Sequence, residues 1–180
     1  MKIKYILLYI FIICFSLKAD QKDPFLNELF IKLHSKSNQY NYDVIISKIW
    51  DIWLKSDDVS IDRDFQIALS LMKKSQYKQS IIFFSRVIEK KPDFAEAWNK
   101  RATAYYLIGD YEKSISDINY TLILEPRHFG AMDGLALIFI KSKKYSQALE
   151  IYREILKILP YSRNIKSKIK ILEEIISKNI

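Results

Sequence analysis

Three prolines mark out the chain. Pro92, Pro126 and Pro160 stand 34 residues apart, each closing a segment of similar pattern. Laid over one another, the segments align Ala68 with Ala102 and Ala136, Tyr77 with Tyr111 and Tyr145, and Ser80 with Ser114 and Ala148. Leu71, Tyr105 and Phe139 coincide, as do Val87, Thr121 and Ile155. A fixed period of this length is the mark of stacked supersecondary units. Within a unit the apolar residues recur at helical steps: Ile115, Ile118 and Leu122, then Leu149, Tyr152, Ile155, Leu156 and Leu159. Small residues at Ala102 and Ser114 suit a close crossing of two helices. Gly109 ends the first helix in a left-handed turn at little cost, whereas Ser75 and Lys143 take that place in the other units, which predicts strain there. Pro126 stops the second helix because it lacks a donor and clashes with the preceding turn. Each unit is therefore an antiparallel helix pair, and one alone cannot bury both its faces.

The pattern resembles the tetratricopeptide repeat (TPR). The middle unit, 95–128, carries Trp98, Ala102, Tyr105, Ser114, Ile118, Thr121 and Pro126 at the signature places, with Arg101 where Leu is expected. The units at 61–94 and 129–162 match through Ala68, Phe84 and Pro92 and through Leu135, Ala136, Tyr152 and Pro160. The stretches IWDIWL and EAWNKRATAYYLIGDY also look like a group of exported bacterial proteins with these repeats, a likeness that adds no activity. The resemblance implies an all-α fold, a right-handed superhelical solenoid of helix pairs. It implies that the first helices line a concave groove. Carried over residue by residue, the groove positions are Phe65, Gln66, Leu69 and Met72; Asn99, Lys100, Thr103 and Tyr106; and Asp133, Leu137 and Ile140. Such a mixed groove suits an extended peptide or an amphipathic helix. The full set of Lys and Asn with which chaperone-binding relatives clamp a terminal carboxylate is absent, so that function is not carried over.

Helices flank the units. Residues 23–58 read as a helical hairpin, in form a degenerate repeat, opened by Asp23-Pro24. Trp50 and Trp53 share a face and are expected to pack over the first full repeat. Residues 163–179 are amphipathic, with Ile165, Ile169, Leu172 and Ile176 on one stripe, and read as a capping helix or a dimerisation helix.

The N-terminus, MKIKYILLYIFIICFSLKAD, has a positive start and an apolar run over 5–17, short of the roughly 20 residues a spanning helix needs. Residues 1–19 are read as a signal peptide, and the protein is placed in the periplasm or cell envelope of a bacterium; the alternative is an inner-membrane anchor at 5–17, which brings membrane proximity. Cys14 is the only cysteine, so no internal disulfide forms.

Composition excludes much else. Three Gly and four Pro in 180 residues disfavour a loop-rich or all-β fold. The net charge of +8 falls when Lys2, Lys4 and Lys18 are set aside, too mild for a nucleic-acid track. His34 and His128 are the only histidines, and no Cys, His or carboxylate spacing suits a metal. No nucleophile motif or phosphate loop appears, so neither enzyme activity nor a cofactor is expected. Arg101 is read as pairing with Asp117 or Glu125, or as lying along apolar surface, ahead of service as an anion anchor. His128 is read as a turn residue. The function so implied is an exported scaffold that binds a peptide or helix of another envelope protein. The alternative is an assembly subunit that works through its helical ends as an oligomer.

Overall fold

The computed structural model describes residues 24–178, so the segment read as a signal peptide lies outside the described residues. Those residues form helices and turns without a strand. Two short helices come first: α1 (Pro24–Leu33) and α2 (Tyr42–Trp53), joined through a 3-10 turn at Lys36–Asn41. Three pairs follow: α3 (Val59–Lys73) with α4 (Tyr77–Lys90), α5 (Ala95–Leu107) with α6 (Tyr111–Leu124), and α7 (Phe129–Lys141) with α8 (Tyr145–Ile158). The last helix is α9 (Arg163–Ser177). Each helix packs on its partner and on the first helix of the next pair, which makes a solenoid.

The repeated residues account for the repeated geometry. Ala68, Ala102 and Ala136 are buried at the crossings, facing Ser80, Ser114 and Ala148. The Ser114 hydroxyl donates to the Ala102 carbonyl at 2.9 Å, so the crossing is tight and its polar atom satisfied. The turn within each pair is the same three times. In the middle pair the N–H of Gly109 donates to the Tyr106 carbonyl and that of Asp110 to the Tyr105 carbonyl; Ser75 with Gln76 and Lys143 with Lys144 repeat both bonds. All three turns need left-handed backbone, with φ of 83° at Gly109, 58° at Ser75 and 56° at Lys143. Only glycine adopts that region without a Cβ penalty, so two of the three turns are strained.

The two ends differ. On α9, Ile165 and Leu172 are buried against the third pair, while Arg153 and Glu173 pair at the surface. This is a cap with a polar back. The α1–α2 hairpin does not stack on the first pair as expected from the sequence. Only Leu54, just past its end, joins the first pair's core. Trp50 and Trp53 pack instead at the start of the third pair, on His128 and Phe129. The reason lies in what opens each pair. The first opens with Ile61-Asp62, the second with Ala95-Glu96 and the third with Phe129-Gly130. Only the third offers an aromatic ring beside open space: a Cβ built on Gly130 would lie 2.5 Å from the Trp50 ring. Asp62 is meanwhile occupied, accepting from the Ser56 N–H at 2.8 Å and its hydroxyl at 2.6 Å.

Replacing Lys143 with Gly removes one Cβ penalty. It should stabilise the fold by about 0.5–1 kcal/mol, after the entropy glycine loses on folding. Urea unfolding checks this; a loss of stability would contradict the strain.

Candidate functional site

The first helices α3, α5 and α7 present one face in common. Along α5 that face holds Glu96, Asn99, Lys100 and Thr103, spaced as neighbours on a helix surface. Between α3 and α5 it opens into a cleft of about 330 Å³ lined by Gln66, Leu69, Ser70, Met72, Lys73, Lys100 and Thr103. The lining is apolar at Leu69 and Met72, cationic at Lys73 and Lys100, and holds no carboxylate.

Five of the groove residues expected from sequence therefore meet here: Gln66, Leu69, Met72, Lys100 and Thr103. Two others are not groove residues. Phe65 is fully buried, its ring 5.6 Å from Phe84 and 5.0 Å from Phe94, because it belongs to the core stripe of Ile61 and Ala68. Asn99 is buried as well, its amide donating to Glu96 Oε2 at 2.8 Å. The remaining four are half-buried and lie outside the cleft. Tyr106 leans on Tyr111, and Asp133 is held by Lys168 of α9 at 2.6 Å. Leu137 sits on the same third-pair helix, and Ile140 packs against that pair's core. Ser70 and Lys73 line the cleft without having been named from sequence. Their spacing from Gln66 and Leu69 was the available signal.

Beyond Lys100 the groove is closed by a buried polar cluster. His128 precedes α7, and its Nδ1 accepts the Ala131 N–H at 3.1 Å, capping the helix. That leaves Nε2 to carry the proton, and it donates to Glu96 Oε2 at 2.8 Å. The Trp53 indole lies flat on the imidazole at 4.1 Å. Lys100 meets Glu96 Oε1 at 2.9 Å and stands 5.2 Å over the Trp50 ring. Burial pushes the Glu96 carboxyl up. The His128 hydrogen bond and the Lys100 charge outweigh it and hold the group below the ordinary carboxylate range. Sequence reasoning took His128 for a turn residue and missed Glu96. The one available signal was that Ser162, one repeat later, occupies the same cap position and uses it, accepting the Ile165 N–H at 3.3 Å.

Arg101 is committed elsewhere. Its guanidinium grips Asp117 through two bonds of 2.7 and 2.9 Å, and its third nitrogen reaches the Ser85 hydroxyl at 2.9 Å. Of the readings open from sequence, the Asp117 pair is the one formed. Trp98 is likewise fixed: its N–H donates to the Pro92 carbonyl at 2.9 Å, and its ring stacks on Tyr120 at 4.5 Å. Among the described residues no group of three metal-ligating side chains converges, and no helix is long and apolar enough to cross a membrane.

The tetratricopeptide repeat family model matches residues 83–116, across the junction of the first and middle pairs. A TPR repeat-containing protein of Rhizobium etli is 32% identical over 154 residues, which is 86% of this chain and 76% of the relative. The chain belongs to the tetratricopeptide repeat family. Hsp70-Hsp90 organizing protein 1 of Glycine max is 27% identical over 60% of this chain, but that match spans only 19% of the soybean protein. Solved TPR structures share the fold. The Sgt2 TPR domain of Aspergillus fumigatus superposes with a TM-score of 0.62 at 19% identity, over 68% of this chain and 82% of that one. The first TPR of Spaghetti (RPAP3), bound to an HSP90 peptide, gives 0.61 at 15% identity, over 65% and 93%.

The Glu96 cluster sets a pH dependence. A carboxylate whose folded value lies below its unfolded one adds stability that is complete above the ordinary range and lost as pH falls through the folded value. Glu96→Gln should cost about 2–3 kcal/mol near neutrality. Its deficit against the natural protein should shrink in acid, as the natural carboxyl also takes up a proton. Urea titrations at neutral and acid pH measure both; a deficit unchanged with pH would contradict the assignment.

Proposed function

We propose that this TPR protein is a scaffold that binds an extended segment of another protein in the cleft between α3 and α5. The cleft itself carries the reading: it is concave and lies on the face that the first helices share. Leu69 and Met72 offer an apolar seat. Gln66, Ser70 and Thr103 offer hydrogen bonds, and Lys73 and Lys100 sit beside them with no acid in the lining. The segment that suits this surface places an apolar side chain next to an acidic group. Two structural neighbours support a peptide as the class of ligand: one TPR domain of RPAP3 is seen with an HSP90 peptide, and one of yeast Sti1 with Hsp70. Neither names a partner for this chain.

The further proposal is that the protein is exported and meets its partner in the cell envelope. It rests on the charged start and apolar run of residues 1–19.

Photocrosslinking in the native cell tests both parts. A probe replaces Gln66 in the cleft, and a control probe replaces Lys113 on the second helix of the middle pair. The expected result is an envelope protein trapped from position 66 and not from 113, on a chain whose N-terminus begins near residue 20 by mass spectrometry. Equal capture from both sites would refute the cleft, and an intact N-terminus would refute cleavage.

A further inference from the structure

The covered half of the groove points to a moving part. Glu96 and Asn99 share a helix face with Lys100 and Thr103, yet only the latter two line the open cleft. A carboxylate and an amide on a binding face are placed for solvent or a ligand, but here both are buried. The cover is the α1–α2 hairpin, through Trp53 on His128 and Trp50 beside Lys100 and Gly130.

We propose that this hairpin is a built-in strap, occupying in cis the half of the groove that the cleft leaves closed and opening as a unit while the repeats stay folded. The inference rests on the groove reading above, and its test needs no partner.

Three observations carry it. First, the hairpin is docked by side chains. Neither α1 nor α2 lies closely along a solenoid helix, whereas the paired helices pack along one another. Side chains likewise make the bonds at its edges, from Arg127 to Asn27 at 2.7 Å and from His34 Nε2 to the Lys157 carbonyl at 2.9 Å. Second, the interface holds an unsatisfied polar group. The fully buried Trp53 N–H has no hydrogen-bond partner among the described residues. Opening lets water reach it, which offsets part of the cost of exposing the apolar surface beneath the hairpin. Third, the connection to α3 turns at Asp57 with φ of 61°, a left-handed geometry that aspartate bears better than most residues but at some cost relative to glycine. Separately opening units of this size are the usual grain of local unfolding. A partner that takes the cleft already meets Lys100, and it gains Glu96 and Asn99 once the strap leaves.

Hydrogen exchange read by mass spectrometry on the whole protein tests the strap. In native buffer, α2 should exchange about tenfold or more faster than α5, α6 and α8. Gly130→Ala gives a second, independent reading. The added methyl intrudes on Trp50, while the first turn of α7, where Gly130 stands, accepts alanine. It should speed α2 by about tenfold again and leave α6 and α8 unchanged. If α2 exchanges only in the global event that frees α6, the hairpin is an integral layer and the proposal falls. It falls too if Gly130→Ala leaves α2 unmoved.

Discussion

Two helices come close only where both carry small side chains at the point of crossing. In this chain that condition is met three times, 34 residues apart, by Ala68 with Ser80, Ala102 with Ser114, and Ala136 with Ala148. Everything downstream follows from it. Close pairs need a tight turn between their helices, and the left-handed residues at 75, 109 and 143 provide it. Pairs with the same turn and the same proline stop stack with the same offset. Identical offsets bring α3, α5 and α7 side by side, and that row is the groove.

The groove is not left uniform. Position by position the three first helices differ, and the differences decide what covers them. Phe129 and Gly130 accept the Trp50 and Trp53 rings. Glu96 supplies the carboxylate that His128 needs once its other nitrogen has capped α7. Between α3 and α5, where no such receptor exists, the cleft stays open. One lysine touches both halves: Lys100 lines the cleft and reaches the Glu96 and Trp50 side chains beyond it.

Much of this was legible in the sequence because it is local and periodic. Helix stops, crossings and strained turns are each set by one residue type at one step of the repeat. Arg101 was legible in kind, since a half-buried cation needs an acid within reach, and Asp117 is one of the two that were in view. The destination of the hairpin was not legible. Its periodicity shows that two helices form, but it carries nothing about which of three equivalent pair openings will receive them. That depends on a methyl group missing at Gly130, seen only once Trp50 stands next to it. Two of the groove positions, Phe65 and Asn99, are buried for reasons of their own. Phe65 was carried over from a family pattern, although its own spacing from Ile61 and Ala68 marks it as core. Asn99 fits the groove pattern but is buried, its amide tied to Glu96 one turn earlier.

The docking of the hairpin on the third pair is the claim on which the closed half of the groove stands. The most direct measurement is paramagnetic relaxation in solution, with a spin label at Lys157→Cys in a chain whose Cys14 is Ser. His34 touches the Lys157 carbonyl, so the account predicts strong broadening of the Phe30 to Ser35 amides. Broadening absent from α1, with the hairpin sensed instead by a label on the outer face of α3, would contradict it.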